Sequence, residues 1–295
     1  YYLALMTTTI DKVKEYWNKK NIPQQWYSNK TPFTIQWFNE LSLKRYNTYY
    51  EYIKHDAEFE NHSGEKVLEI GTGIGTDLIE YAKNGSKVYG IDLGPDQIDL
   101  TKLNFKLRNL DYEDLKVCSA ENIEYEDETF DLVYSFGVLH HTPNTEKAIS
   151  EIYRILKPDG QAIIMLYARG WKHYLKRCFI HGILLGKIIK HRFSWQALYD
   201  DISEVNGGSP KTAIYTRKQV KKLFRQFPEI VIKKRRLGEF IDYAPYKSRV
   251  LPSFIKNFLN LINAASIIGE NHLIKLYKSN PPKRKNVFSV IFKHY

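Results

Sequence analysis

The stretch "KVLEIGTGIGTDL", residues 66–78, sets glycines at 71, 73 and 75 between a short apolar run and the start of a helical pattern. A tight turn needs one glycine. Three on alternate positions strip the Cβ atoms from a whole loop, so that a ligand can lie against the backbone. A turn that opens a helix also presents unpaired N–H groups and a partial positive charge. Asp92 closes the next apolar run, "VYGIDL", twenty-one residues after Gly71. A carboxylate at the end of a second strand can accept both hydroxyls of a ribose. Turn and acid together predict a nucleoside-bearing ligand at one edge of a sheet.

The rest of the chain supplies such a sheet. Apolar runs at 66–70, 88–93, 115–120, 130–136 and 161–167 alternate with helical patterns near 76–83, 95–109 and 144–156. Alternation of this kind builds right-handed βαβ units and places the strand C-termini on one edge. A sixth strand is expected at 229–237 and a last one at 286–295. The predicted fold is α/β: a Rossmann-like, doubly wound, mostly parallel seven-stranded sheet with an antiparallel last strand. Four regions follow. Residues 1–60 form a helical, aromatic-rich lid, 61–168 the ligand-binding core, and 169–216 a helical cap that begins with a basic amphipathic helix at 171–193. Residues 217–295 complete the core, with a helical insertion at 238–286.

Glu69 narrows the ligand. Dinucleotide-binding loops read G-x-G-x-x-G, whereas this one reads G-x-G-x-G and follows an acid that would repel a pyrophosphate. An acid suits a cationic ligand with an amino group, such as the methionine end of S-adenosylmethionine (SAM). At this point "VLEIGTGIGTDL", "VYGIDLGPDQI" and "CSAENIEYEDETFDLVYSFGVLHHTPNTEKAISEIYRILKPDGQAIIMLY" resemble consecutive motifs of the class I SAM-dependent methyltransferases. The resemblance is to the small-molecule branch that includes the quinone and sterol enzymes. It is close over about 64–168 and loose over 212–237.

That resemblance implies SAM as cofactor, S-adenosylhomocysteine as product and no metal. It implies that Glu69, Gly71, Thr72, Gly73 and Gly75 hold the methionine end and that Asp92 binds the ribose. Leu93 would lie on the adenine face, Ala120 and Glu121 would flank the ring, and Ser135 and Phe136 would line the pocket. Ser119 departs from the family, where an Asp before the Ala-Glu pair commonly accepts from the adenine amino group.

Methyl transfer from a sulfonium needs alignment first, and a base only if the acceptor carries a proton. His140 and His141, in "GVLHHTP" after the fourth strand, are the candidate bases. Tyr16, Trp17, Trp37, Arg45 and Tyr46 in the lid, with Tyr215 and Arg217 after the cap, are candidate acceptor contacts. Each also has a plain reading as packing or surface. No HxH or HExxH spacing offers a metal site.

Composition limits the alternatives. Two cysteines far apart give no disulfide framework, which points to a reducing cytoplasm. No apolar run is long enough to span a membrane, and the first residues read as a fragment edge rather than a signal peptide. Residues 1–160 carry a net charge of −8 and residues 161–295 one of +19. The basic part fits an anionic small-molecule acceptor, a peripheral membrane contact or a lysine-rich solvated face. No Asn-Pro-Pro-Tyr base-flipping motif argues for nucleic acid. The leading expectation is methyl transfer to an O, N, S or C atom of a small molecule. Its rivals are a methyltransferase acting on a lipid or macromolecule through the basic part, a SAM-binding partner protein without turnover, and a nicotinamide dehydrogenase.

Overall fold

The structure is a computed structural model, and it describes residues 2–19, 28–170, 173–202, 209–235 and 271–279. Helix α1 (Tyr2–Lys19) comes first. Helix α2 (Ile35–Lys44), capped by the Thr34 hydroxyl, runs on into a π-helical turn at Arg45–Tyr49. A short α3 (Ile53–Asp56) follows. The core then alternates as β1 (Lys66–Ile70), α4 (Thr76–Lys83), β2 (Lys87–Asp92), α5 (Pro95–Leu107), β3 (Asp114–Val117), β4 (Phe130–Phe136), α6 (Thr145–Ile155) and β5 (Leu156–Tyr167). Local chemistry sets these bounds. Pro95 starts α5, and the Asn144 side chain accepts from the Lys147 N–H to start α6.

The sheet order is β3-β2-β1-β4-β5, followed by β7 (Asn271–Tyr277) and β6 (Glu229–Arg235). All pairs among the first five strands are parallel, and β7 runs antiparallel to both β5 and β6. The expected seven-stranded, mostly parallel sheet is therefore present. Helices cover both faces, so the central strands β1, β4 and the C-terminal half of β5 are largely apolar. Trp37, Phe38, Phe59, Tyr81 and Phe105 pack on one face. Ile149, Ile152, Ile155, Val220 and Phe224 pack on the other. Strand order reverses between β1 and β4, which opens a crevice at their C-terminal ends.

Two expectations need correction. The closing strand is Asn271–Tyr277, inside the stretch read as a helical insertion; the expected strand at 286–295 lies outside the described residues, as do 238–270. The basic helix expected over 171–193 is broken. Residues His173–Leu184 are π-helical, Gly186 takes a φ of +62°, and separate helices α7 (Lys187–Lys190) and α8 (Trp195–Ile202) follow. Helix α9 (Arg217–Leu223) then begins with a capping box between Thr216 and Gln219 and leads into β6. Among the described residues no helix is long and apolar enough to cross a membrane.

Candidate active site

The crevice is a cavity of about 290 Å³. At one end stand Glu69, the loop after β1, Asp92 and Leu93 from the end of β2, and Ala120 and Glu121 beyond β3. At the other stand Phe136 and His141 from the end of β4 and the loop beyond, with Met165 and Tyr167 from the end of β5. Trp17 of α1, Arg45 and Tyr50 close over it.

The three glycines have different reasons to exist. All take positive φ, at +82°, +55° and +75° for Gly71, Gly73 and Gly75. A Cβ on Gly71 would sit 2.2 Å from Val138 Cγ2, and one on Gly75 would sit 2.8 Å from Thr101 Cγ2. Protein contacts therefore require those two. Only at Gly73 would a Cβ meet nothing within 4 Å, and only there does the missing side chain open onto space.

Glu69 is 4% exposed, and its Oε2 has no hydrogen-bond partner among the described residues. Burial, with the Asp77 carboxylate nearby, pushes its carboxyl well above the usual range. Such a group favours an incoming cation. Asp92 accepts from the Gly73 and Gly94 N–H groups, both at 3.0 Å. Burial raises its carboxyl, and these amides oppose the rise. Asp92 thus pins the open glycine loop and keeps lone pairs for a ligand.

Asp77 at the start of α4 ties the N-terminal segment to the core. Arg45 donates to both its oxygens, at 2.7 Å from Nε to Oδ1 and through Nη2 to Oδ2. The hydroxyls of Tyr46 and Tyr134 each donate to it at 2.8 Å. Arg45 also lies 4.8 Å over the Phe136 ring and 5.5 Å over that of Tyr50.

The two histidines differ sharply. His141 lines the cavity, its ring 4.9 Å from that of Trp17. Its Nδ1 lies 2.9 Å from the Lys211 carbonyl. A carbonyl only accepts, so the proton of the neutral ring sits on Nδ1 and the lone pair on Nε2. Burial holds the ring down to about pKa 4, so it is neutral at neutral pH. His140 is fully buried beneath, 3.9 Å from the Tyr167 ring, and does not line the cavity. Neither of its ring nitrogens has a partner among the described residues, and burial pushes its pKa well down.

Of the residues expected from sequence, Glu69, Gly71, Thr72, Gly73, Asp92, Leu93, Ala120, Glu121, Phe136, His141, Trp17 and Arg45 meet around this cavity. Others do not. Gly75 turns to Thr101. The Ser135 hydroxyl donates to the Ile70 carbonyl between strands. Trp37 packs in the core against Phe38, because its helical spacing places it on the buried stripe of α2. Tyr46 reaches Asp77 instead of the cavity, and Tyr16 packs its ring edge-on to Trp17. Tyr215 donates to Thr145 Oγ1, and Arg217 is exposed on the first turn of α9. Glu121 has a second contact, accepting from the Asn144 N–H at 2.7 Å. Sequence reasoning overlooked Tyr50, Asp77, Met165 and Tyr167. The last two could have been found, since they share one face at the ligand-edge end of a strand. Among the described residues no cluster of His, Cys, Asp and Glu could hold a metal.

Known methyltransferases resemble the chain in sequence and in fold. Residues 68–164 match the family described as methyltransferase domain. The phosphoethanolamine N-methyltransferase 2 of Caenorhabditis elegans is 30% identical over 149 residues, covering 49% of this chain and 34% of that protein. The demethylmenaquinone methyltransferase of Lactobacillus johnsonii is 28% identical over 227 residues, covering 72% and 87%. This chain therefore spans about a third of the nematode relative's length. Among solved structures, Haemonchus contortus phosphoethanolamine N-methyltransferase 2, in complex with phosphomonomethylethanolamine and S-adenosylhomocysteine, aligns with a TM-score of 0.52 at 19% identity. That alignment covers 85% of this chain and 60% of the other, and it shows a shared fold.

Proposed function

From the methyltransferase domain that residues 68–164 carry, we propose that this chain transfers a methyl group from SAM to a small-molecule acceptor. One observation supports the reading above others. Among the described residues, Glu69, Asp77, Asp92 and Glu121 bring four carboxylates to a cavity lined by Arg45 as its one permanent cation, and the Glu69 Oε2 is buried without a partner. A donor bearing a sulfonium and an ammonium suits that balance. A pyrophosphate does not.

SAM bound there supplies a methyl group already activated by its positive sulfur. Glu69 would hold the amino group, the backbone at Gly73 would lie against the methionine end, and Asp92 would accept from the ribose hydroxyls. Leu93, Ala120 and Glu121 would border the adenine. Trp17, Tyr50, Phe136, Met165 and Tyr167 form an apolar, aromatic wall that excludes water and aligns the acceptor, the main source of rate in such a displacement. For a hydroxyl or protonated amine acceptor, His141 would take the proton on Nε2. Its pKa of about 4 keeps it in the basic form at every physiological pH, at some cost in basicity.

Calorimetry with S-adenosylhomocysteine and labelled-methyl transfer to a panel of small hydroxy and amino compounds test the reading. His141→Ala should lower kcat about 10²–10⁴-fold, with donor affinity within about twofold of wild type. Absence of donor binding by the wild-type chain would sink the proposal. Donor binding without methyl consumption on any acceptor would support the partner-protein rival instead.

A further inference from the structure

Seven of the twelve exposed large apolar side chains among the described residues fall between 179 and 195. They are Phe179, Ile183, Leu184, Leu185, Ile189 with Phe193, and Trp195, exposed by 46–71%. Scattered exposure of this kind is ordinary. Concentration in one short segment is not.

The local structure explains why these residues cannot turn inward. The π-helical segment ends at Leu184, and Gly186 reverses the chain in the left-handed region before α7. Arg192 and Phe193 both take positive φ, at 49° and 61°, a conformation that costs energy for side chains of this size. Gly182 packs tightly under Trp195 and Leu198, where a Cβ would sit 2.7 Å from the indole. The two arms are therefore clamped at their base, and the tip between them turns its large apolar residues outward, except Ile188, which is buried.

The charge within the tip itself is positive, and Asp201 of α8 meets it at His191, 3.3 Å away. From 171 to 199 the sequence holds six Lys and Arg and no Asp or Glu. Lys187, Lys190 and Arg192 stand among the apolar residues themselves. The same tip leads through α8 to residues 209–212, whose Lys211 carbonyl holds His141 at the cavity.

The geometry points to residues 179–195 as a docking element for an anionic lipid surface, with the apolar side chains entering the acyl boundary and the cations meeting the headgroups. Apolar insertion and cationic attraction in one short amphipathic element is the combination that holds peripheral proteins on membranes. A protein partner of ordinary composition would leave the positive charge of Lys187, Lys190 and Arg192 uncompensated, and a second copy of this tip would bring like charges together. The inference does not rest on methyl transfer, because binding is measured with neither donor nor acceptor present.

Co-sedimentation with vesicles of phosphatidylcholine alone, and with about a third of phosphatidylglycerol added, tests it. The full chain should partition at least about tenfold more strongly onto the anionic vesicles, and the difference should shrink as salt rises. The double variant Leu184→Glu/Phe193→Glu changes only exposed positions and should lose at least about tenfold in partition, while keeping its melting temperature. Lys187→Ala/Lys190→Ala/Arg192→Ala should bring anionic binding down towards the neutral level. Equal partition of wild type and the double variant overturns the proposal. So does absence of vesicle binding. If in that case sedimentation velocity shows a dimer that the double variant dissociates, the covering surface is a second copy. If the double variant stays monomeric and instead loses melting temperature, the face is covered from within the chain.

Discussion

The two ends of the cavity are built in different ways. At the end proposed to hold the donor, Glu69, Gly73 and Asp92 stand at strand ends within twenty-four residues of sequence, and backbone amides do much of the positioning. At the end proposed to hold the acceptor, Trp17, Arg45, Tyr50, His141, Met165 and Tyr167 come from four distant segments, and side chains do the positioning. A backbone-built end is fixed by the fold itself. A side-chain-built end is only as firm as the contacts that hold each contributor in place, and those contacts can be attacked singly.

The largest expected effect lies where the two ends join. Asp77→Ala would leave the Arg45 guanidinium buried without its carboxylate and release Tyr46 and Tyr134. Breaking a buried pair by removing one partner costs about 3–5 kcal/mol. Urea denaturation should show that loss, and a change below about 1 kcal/mol would mean that the N-terminal segment is held elsewhere.

A second contrast comes from pH. His141 has a folded pKa of about 4 against an ordinary value near 6.5. Between those values the unfolded chain binds the proton and the folded chain does not. Stability should therefore be fully present above about pH 6.5 and fall as the pH drops towards 4, by roughly 3 kcal/mol from this group. His141→Gln should make that part of the stability profile less steep, with buried His140 supplying slope that remains. Any rate step due to His141 should also sit near pH 4, well below the usual histidine range.

At the donor end, Asp92→Ala should weaken S-adenosylhomocysteine binding by about 1.5–3 kcal/mol, at least tenfold, since charge-assisted hydrogen bonds have that worth. Unchanged affinity in calorimetry would take Asp92 out of the site.

The smallest effect separates the glycines. Gly73→Ala meets open space, so its stability cost should be only the roughly 1–2 kcal/mol of a left-handed alanine, while donor affinity falls. Gly71→Ala should cost more, because Val138 must also move. Equal costs in thermal melts would erase that distinction.

The same difference governs what could be read from sequence. The strands 66–70 and 130–136 were legible as written because both faces are buried and the residues run apolar. The turn and Asp92 were legible because backbone chemistry leaves glycines and acids at fixed spacing. The last strand was hidden by its own polar residues. Asn271 donates to the Tyr52 hydroxyl, His272 lies 2.9 Å from the Tyr215 carbonyl, and Lys275 pairs with Glu58. All three are buried with partners that no local pattern announces. Asp77 looked like an ordinary acid on the first turn of a helix, and its three donors arrive from 31 to 57 residues away. Trp17 and Trp37 show the limit from the other side. Both are aromatic residues in helices of one segment, yet Trp17 reaches the cavity and Trp37 enters the core.

The seating of Val138 over the bare Cα of Gly71 has a consequence for anyone who would re-engineer this scaffold. The loop that carries His141 cannot be exchanged as a cassette, because one of its residues is keyed into the loop after β1. A graft that replaces Val138 with a bulkier residue would push on the donor loop, and one that replaces it with alanine would leave a gap beneath it. Libraries aimed at new acceptors should hold Val138 constant and vary Met165, Tyr167 and Tyr50, which shape the same space without that interlock.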